Sequence, residues 1–169
     1  IEHFQNSLDL DGEEPMAYCY MGEAYEQLEE LELAKNCYLK SIELSPSFAQ
    51  AWLGLGIIED LKGNTKEAIV IFNKTIEIEP DNSGIYHVLA SAYEKEKEFE
   101  TAIKYYKISL KLDPNDMDCL SDFLRMLSSF DKKAALNFIQ KFNEKNGQNI
   151  KSWILEVYLK WINGLKKEA

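Results

Sequence analysis

Through residues 15–116 apolar side chains recur at steps of three and four, as in Ile69, Phe72 and Ile76 and again in Ile103, Tyr106 and Leu110. Residues so spaced lie on one face of a helix with about 3.6 residues per turn. No stretch alternates strictly between apolar and polar, so strands are not expected. The pattern itself repeats: segments 15–48, 49–82 and 83–116 align without gaps at a period of 34 residues. Six columns stay in step. An aromatic residue stands near each start (Tyr18, Trp52, Tyr86), followed by a small residue (Gly22, Gly56, Ala90) and an alanine (Ala34, Ala68, Ala102). A ring (Tyr38, Phe72, Tyr106), a hydroxyl residue (Ser41, Thr75, Ser109) and a proline (Pro46, Pro80, Pro114) complete the unit.

Each unit therefore predicts two antiparallel helices joined by a short turn. The small residues let the helices approach, and the rings fill the space beside them. A glycine inside a helix costs about 1 kcal/mol relative to alanine, so its recurrence implies that close packing offsets the cost. Gly63 is expected to end the first helix of its unit, and Asn64-Thr-Lys-Glu67 has the form of a capping box opening the second. The prolines are expected to end the second helices, because the residue before proline avoids helical angles.

Weaker copies flank the core. Residues 117–149 form a divergent fourth unit, whose turn is about two residues short, so that Ala134 and Phe138 take the places of Ala102 and Tyr106. Gly147 stands roughly where proline stood. Residues 150–169 match a first helix, with Trp153 and Gly164 in the places of Trp52 and Gly63, and residues 1–14 match a second helix. The chain thus reads as a piece of a longer array, broken inside a unit at both ends.

These columns resemble the tetratricopeptide repeat family, with the middle unit the best match through Trp52, Gly56, Gly63, Ala68, Phe72 and Pro80. Glu59 departs from the tyrosine at Tyr25 and Tyr93, which is expected to loosen one contact. The resemblance implies an all-α, right-handed superhelical solenoid of helix hairpins, with the first helices lining a concave face that holds a peptide or helix of another protein. By helix geometry the lining residues are Glu23, Glu26, Leu53, Ile57, Asp60, His87, Ser91, Glu94, Ser121 and Arg125, then Ile154 and Tyr158. That surface is acidic first, apolar in the middle and mixed at the end. It suits a partner segment whose basic residues flank an apolar anchor, although solvated carboxylates are also ordinary on a helix face. A subset of the family clamps acidic chaperone tails with lysine, asparagine and arginine. The matching positions here hold Cys19, Glu23, Gly54, Gly84 and Val88, or one unit later Leu53, Ile57, Val88, Asp118 and Asp122, so no such clamp is expected.

Charge sharpens this picture. The chain of 169 residues carries a net charge of −10. Residues 1–34 hold ten carboxylates and no Lys or Arg, whereas residues 125–169 hold nine basic groups against four acidic ones. An acidic face repels phosphate, which argues against nucleic acid, and base-reading helical repeats are basic and lack the Trp52–Gly56 pairing. Complementary ends allow a weak head-to-tail self-association. Against that reading, Trp153, Tyr158 and Trp161 are the residues a following helix would cover.

Chemistry is sparse. Cys19, Cys37 and Cys119 have no metal-ligand spacing and read as buried thiols, which together with the lack of a signal sequence suggests a cytoplasmic protein. An export signal upstream of Ile1 would change that. There is no phosphate loop, metal motif or nucleophile–base pair. Of the two histidines, His3 lies in the partial first segment and His87 faces the groove, where it is either a polar lining residue or a mild pH sensor. No membrane span, cofactor, metal or enzymatic activity is expected; the chain reads as a scaffold, alone or as the interaction module of a larger enzyme or of a membrane-associated or exported assembly.

Overall fold

The computed structural model describes residues 14–147, 150–162 and 164. The partial first segment, including His3, and the residues after Gly164 lie outside that range, as do the side chains of Trp161 and Ile162. The described residues form nine α-helices and no strand: α1 (Pro15–Gln27), α2 (Leu31–Leu44), α3 (Ala49–Leu61), α4 (Thr65–Ile78), α5 (Ser83–Lys95), α6 (Phe99–Leu112), α7 (Met117–Phe130), α8 (Lys132–Asn146) and α9 (Ile150–Ile162).

Each first helix packs on the second helix that follows it, and each second helix on the next first helix. The first helices also touch one another in series, α1 on α3, α3 on α5, α5 on α7 and α7 on α9. No two second helices come so close together among the described residues. The stack is therefore tighter on the side of the first helices, which makes that side concave.

Close approach explains the small residues. A Cβ on Gly22 would lie 2.8 Å from the Tyr38 ring, and one on Gly56 would lie 2.4 Å from the Phe72 ring. The three rings Tyr38, Phe72 and Tyr106 are fully buried. The aromatic column near each start also anchors the backbone. Trp52 Nε1 donates to the carbonyl of Pro46 and the Tyr86 hydroxyl to that of Pro80, both at 2.9 Å. Each bond ties a first helix to the turn before it. Ser45, Glu79 and Asp113, the residues after the second helices, all leave helical angles (ψ 90, 79 and 95°), in each case directly before a proline.

The turns within the first three pairs repeat as well. Glu29, Gly63 and Lys97 all take positive φ, at 61, 86 and 64°. The next residue's N–H then reaches back to the carbonyl of Tyr25, Glu59 or Tyr93, each at 2.9 Å. This six-to-one bond closes the helix end.

Three sequence expectations need correction. The capping box at Asn64 does not form: Asn64 makes no side-chain cap and instead donates Nδ2 to Glu59 at 2.7 Å. Glu59 is not a loosened contact either. It is 1% exposed and sits 2.6 Å from the half-buried Lys35 ammonium of α2, so it is a buried carboxylate in an ion pair that joins the first helix pair to the second. Lys35 foremost, with Asn64, holds the Glu59 carboxyl below the usual carboxylate range. In the fourth pair the buried residues are Ala135 and Ile139, whereas Ala134 and Phe138 are only partly covered. The turn there does shrink to Asp131 alone, but α7 has 14 residues where the earlier first helices have 13. The longer helix takes up half of the shortening, so the register moves by one residue. The Asp131 carboxylate accepts from the N–H of Lys133 and Ala134 at 2.9 and 3.0 Å and so starts α8.

Candidate functional site

The first helices place their groove-facing side chains in columns along the concave side. Glu23, Glu26, Leu53, Ile57, Asp60, His87, Ser91 and Glu94 are all half-buried there. Ser121 and Arg125 on α7 and Ile154 and Tyr158 on α9 are exposed. The structure brings the first four of these together. Between α1 and α3 lies a hollow of about 230 Å³, walled by Glu23, Glu26 and Gln27 on one side and Gln50, Leu53 and Ile57 on the other. Tyr38 and Gly54 form its floor. Gly54 is required for this shape, since a Cβ there would lie 2.4 Å from the Tyr38 ring.

The carboxylates along the groove differ in what they already hold. Glu26 accepts the Tyr38 hydroxyl at 3.0 Å, and Glu94 accepts the Tyr106 hydroxyl at 2.9 Å. Burial, reinforced by these carboxylates, pushes both phenols above their ordinary range, so they remain neutral donors. Asp60 stands between them in the same column but faces Phe72, which has no hydroxyl. It takes the Thr65 hydroxyl at 3.0 Å and the Lys95 ammonium at 2.5 Å. Glu94 also carries the Arg125 guanidinium, at 2.9 and 3.4 Å. Glu23 accepts only the Gln50 amide, at 3.2 Å. Among the described residues, then, the downstream carboxylates are matched by cations, and Glu23 and Glu26 meet neutral donors alone.

His87 sits 3.1 Å from Asp122 through Nε2 and 3.6 Å from Asp116 through Nδ1. Donor atoms of His87, Asp116 and Cys119 lie within 4.8 Å of one another, which is the spacing of a potential metal cluster. The donor set fits a cation poorly. Cys119 is buried with its thiol directed at Ser109 Oγ, 3.3 Å away, and burial pushes that thiol up to about 12. Asp116 caps the start of α7 by accepting the Cys119 N–H, and the positive end of a helix opposes a metal ion. The other thiols are equally quiet: burial, with Glu23 adding to it, raises Cys19 to about 12, and burial raises Cys37. A nucleophilic cysteine needs the opposite shift.

Sequence reasoning did not single out Gln50, Gln27 or Tyr38 as part of this surface, and it named Gly54 and Asp122 only as places where the groups of a chaperone-tail clamp are missing. Glycine at 54 next to the repeating Gly56 was the one signal for it, because a second glycine in one helix implies a second close approach.

A stack of helix hairpins with a lined concave face is the architecture of a helical-repeat scaffold. The particular repeat follows from sequence. A sequence model of the tetratricopeptide repeat matches residues 15–48, and a second model of the same repeat matches 49–82 and 83–116, so the chain belongs to the tetratricopeptide repeat family. It is 30% identical over 113 residues to anaphase-promoting complex subunit 3 of Schizosaccharomyces pombe, covering 67% of this chain and 17% of that protein. It is 26% identical over 137 residues to the CTR9 homolog of Arabidopsis thaliana, covering 77% of this chain and 13% of that protein. The chain thus spans less than a fifth of either relative. Among solved structures it resembles YrrB, described as a tetratricopeptide protein with an unusual peptide-binding site, with a TM-score of 0.70 at 21% identity over 97% of this chain and 85% of that one. It also resembles MamA, with a TM-score of 0.69 at 18% identity over 90% and 84% of the two chains. The family is a protein-interaction fold. No helix among the described residues is long and apolar enough to cross a membrane.

Proposed function

We propose that the concave face binds a segment of another protein, seating an apolar side chain against Leu53 and Ile57 and a lysine or arginine beside Glu23 and Glu26. One observation carries this reading. The hollow between α1 and α3 pairs an apolar wall with two carboxylates that hold no cation among the described residues, while Asp60 and Glu94 in the same groove are already matched. A partly desolvated carboxylate attracts a cation more strongly than a solvated one, because the effective dielectric is lower. Matching charge also sets register and suppresses wrong partners. The peptide-binding description of YrrB and the complex-subunit description of the yeast relative are consistent with such a role. This segment then acts by holding its partner.

Photo-crosslinking tests the location. A benzophenone side chain placed at Gln50 should capture a peptide bearing an apolar residue flanked by lysines, and the same group placed at Lys74 on the outer side should not. Capture from Lys74 alone would refute the groove.

A further inference from the structure

The outer face of the molecule carries a second cleft of different character. It lies between α6 and α8, with a volume of about 360 Å³, within the range of small binding clefts. Leu110, Pro114, Phe138 and Phe142 form its floor. Lys107 and Lys111 of α6 and Lys141 and Lys145 of α8 form its rim, and none of its lining residues is acidic.

Four lysines around an apolar floor are unusual in a chain of net charge −10. All four are exposed, and none makes an ion pair among the described residues. Each helix contributes a like-charged pair four residues apart, an arrangement that destabilises an isolated helix. The feature is not a property of the repeat. One unit upstream, the places of Lys107 and Lys111 are taken by Asn73 and Glu77, and one further by Leu39 and Glu43. There Glu77 and Glu43 are answered by Lys74 and Lys40 on the same helix. With the register of the fourth pair moved by one residue, the places of Lys141 and Lys145 correspond to Ile108 and Leu112. The rim is basic only where α6 meets α8.

We propose that this cleft is a second docking site, for an acidic segment of a partner protein with an apolar anchor residue. The anchor packs on Phe138 and Leu110, and flanking carboxylates meet the two lysine pairs. The site is separate from the groove of first helices and opposite to it in charge preference. Nucleic acid suits the cleft less well. Phe142 is buried and Phe138 is partly covered, packed at ring-centroid distances of 6.0 Å from Phe142 and 4.7 Å from Phe123, so the cleft offers no exposed aromatic platform on which successive bases would stack. The remaining surface of the chain repels a long polyphosphate.

Fluorescence anisotropy decides the matter with a labelled synthetic peptide in which Asp and Glu flank a Phe-x-x-Leu pair. The expected result is saturable binding that weakens with salt and falls at least about tenfold in Lys107→Glu/Lys111→Glu and in Lys141→Glu/Lys145→Glu. Binding should be unchanged in Glu23→Gln/Glu26→Gln. Melting curves establish that these surface variants fold. Absence of saturable binding, affinity indifferent to both lysine variants, or displacement of the peptide by a single-stranded oligonucleotide of equal length at physiological salt would each overturn the proposal.

Discussion

The first three helix pairs and the fourth reach the same stacking by opposite divisions of volume. In the first three, a glycine or alanine on the first helix (Gly22, Gly56, Ala90) receives a ring from the second (Tyr38, Phe72, Tyr106). In the fourth, Leu124 and Ile139 take these two places, and both are buried in one core cluster. Space filled by one large group and one absent group in the first case is shared by two medium groups in the second. The turn differs in step with the packing: three residues, with a left-handed middle position, in the first three pairs, and Asp131 alone in the fourth. Phe138, displaced from the core by this shift, stands edge-on to Phe123 and lines the outer cleft. A change in how the interior is filled has thus remodelled the exterior, where Phe138 becomes part of the cleft floor.

The sharpest test of the volume division is a swap. Gly56→Leu should destabilise by about 3 kcal/mol, because a Cβ alone already lies 2.4 Å from Phe72 and a packed core resists added groups. Adding Phe72→Ile, which copies the Leu124–Ile139 arrangement, should recover at least about 1 kcal/mol of that loss in a double-mutant cycle by urea unfolding. Strict additivity would mean that the two kinds of pair are not equivalent solutions.

A smaller effect is expected at the junction of the first and second pairs. Lys35→Met leaves the buried Glu59 carboxylate without its main partner and should cost about 2 kcal/mol, measured at neutral pH. The same pair gives a signed pH dependence. Lys35 lowers the folded-state value of Glu59, so the ionised form is the one the fold prefers. Its stabilisation is present above the unfolded value of about 4.3 and is lost as pH falls through the lower folded value. Denaturation midpoints should therefore converge between the parent protein and Lys35→Met as pH falls below about 4.3. A gap that persists into acid would assign the cost to packing instead.

The mildest expected change concerns the turns. Glu29→Gly and Lys97→Gly should each raise stability by about 0.5 kcal/mol, because both residues occupy the left-handed region that Gly63 occupies without strain. No counterpart exists at Asp131, whose φ is −143°. Glycine there should destabilise by removing the α8 cap, which reverses the sign within one molecule.

Much of this was legible from spacing alone. Helix hairpins, the glycine–ring contacts and the proline exits all follow from columns that repeat every 34 residues, since each depends on near neighbours in the repeat. What escaped depends on partners brought in from elsewhere. Glu59 looked like a failed tyrosine because Lys35 lies on another helix, with no local spacing to announce it. Asn64, drawn to the same carboxylate, leaves the cap its sequence suggested. In the fourth pair, adjacent Ala134 and Ala135 made the phase ambiguous by one residue, and the aromatic Phe138 suggested the wrong choice. Lys107, Lys111, Lys141 and Lys145 were visible only as two separate pairs, since their convergence is a product of packing.

Calorimetric titration of a lysine-flanked apolar peptide, at low and at high salt, bears most directly on the groove. Recognition through Glu23 and Glu26 requires binding to weaken at least about tenfold in Glu23→Gln/Glu26→Gln at low salt, and the salt dependence of the parent protein to flatten in that variant. Equal affinity for parent and variant at every salt concentration would contradict it.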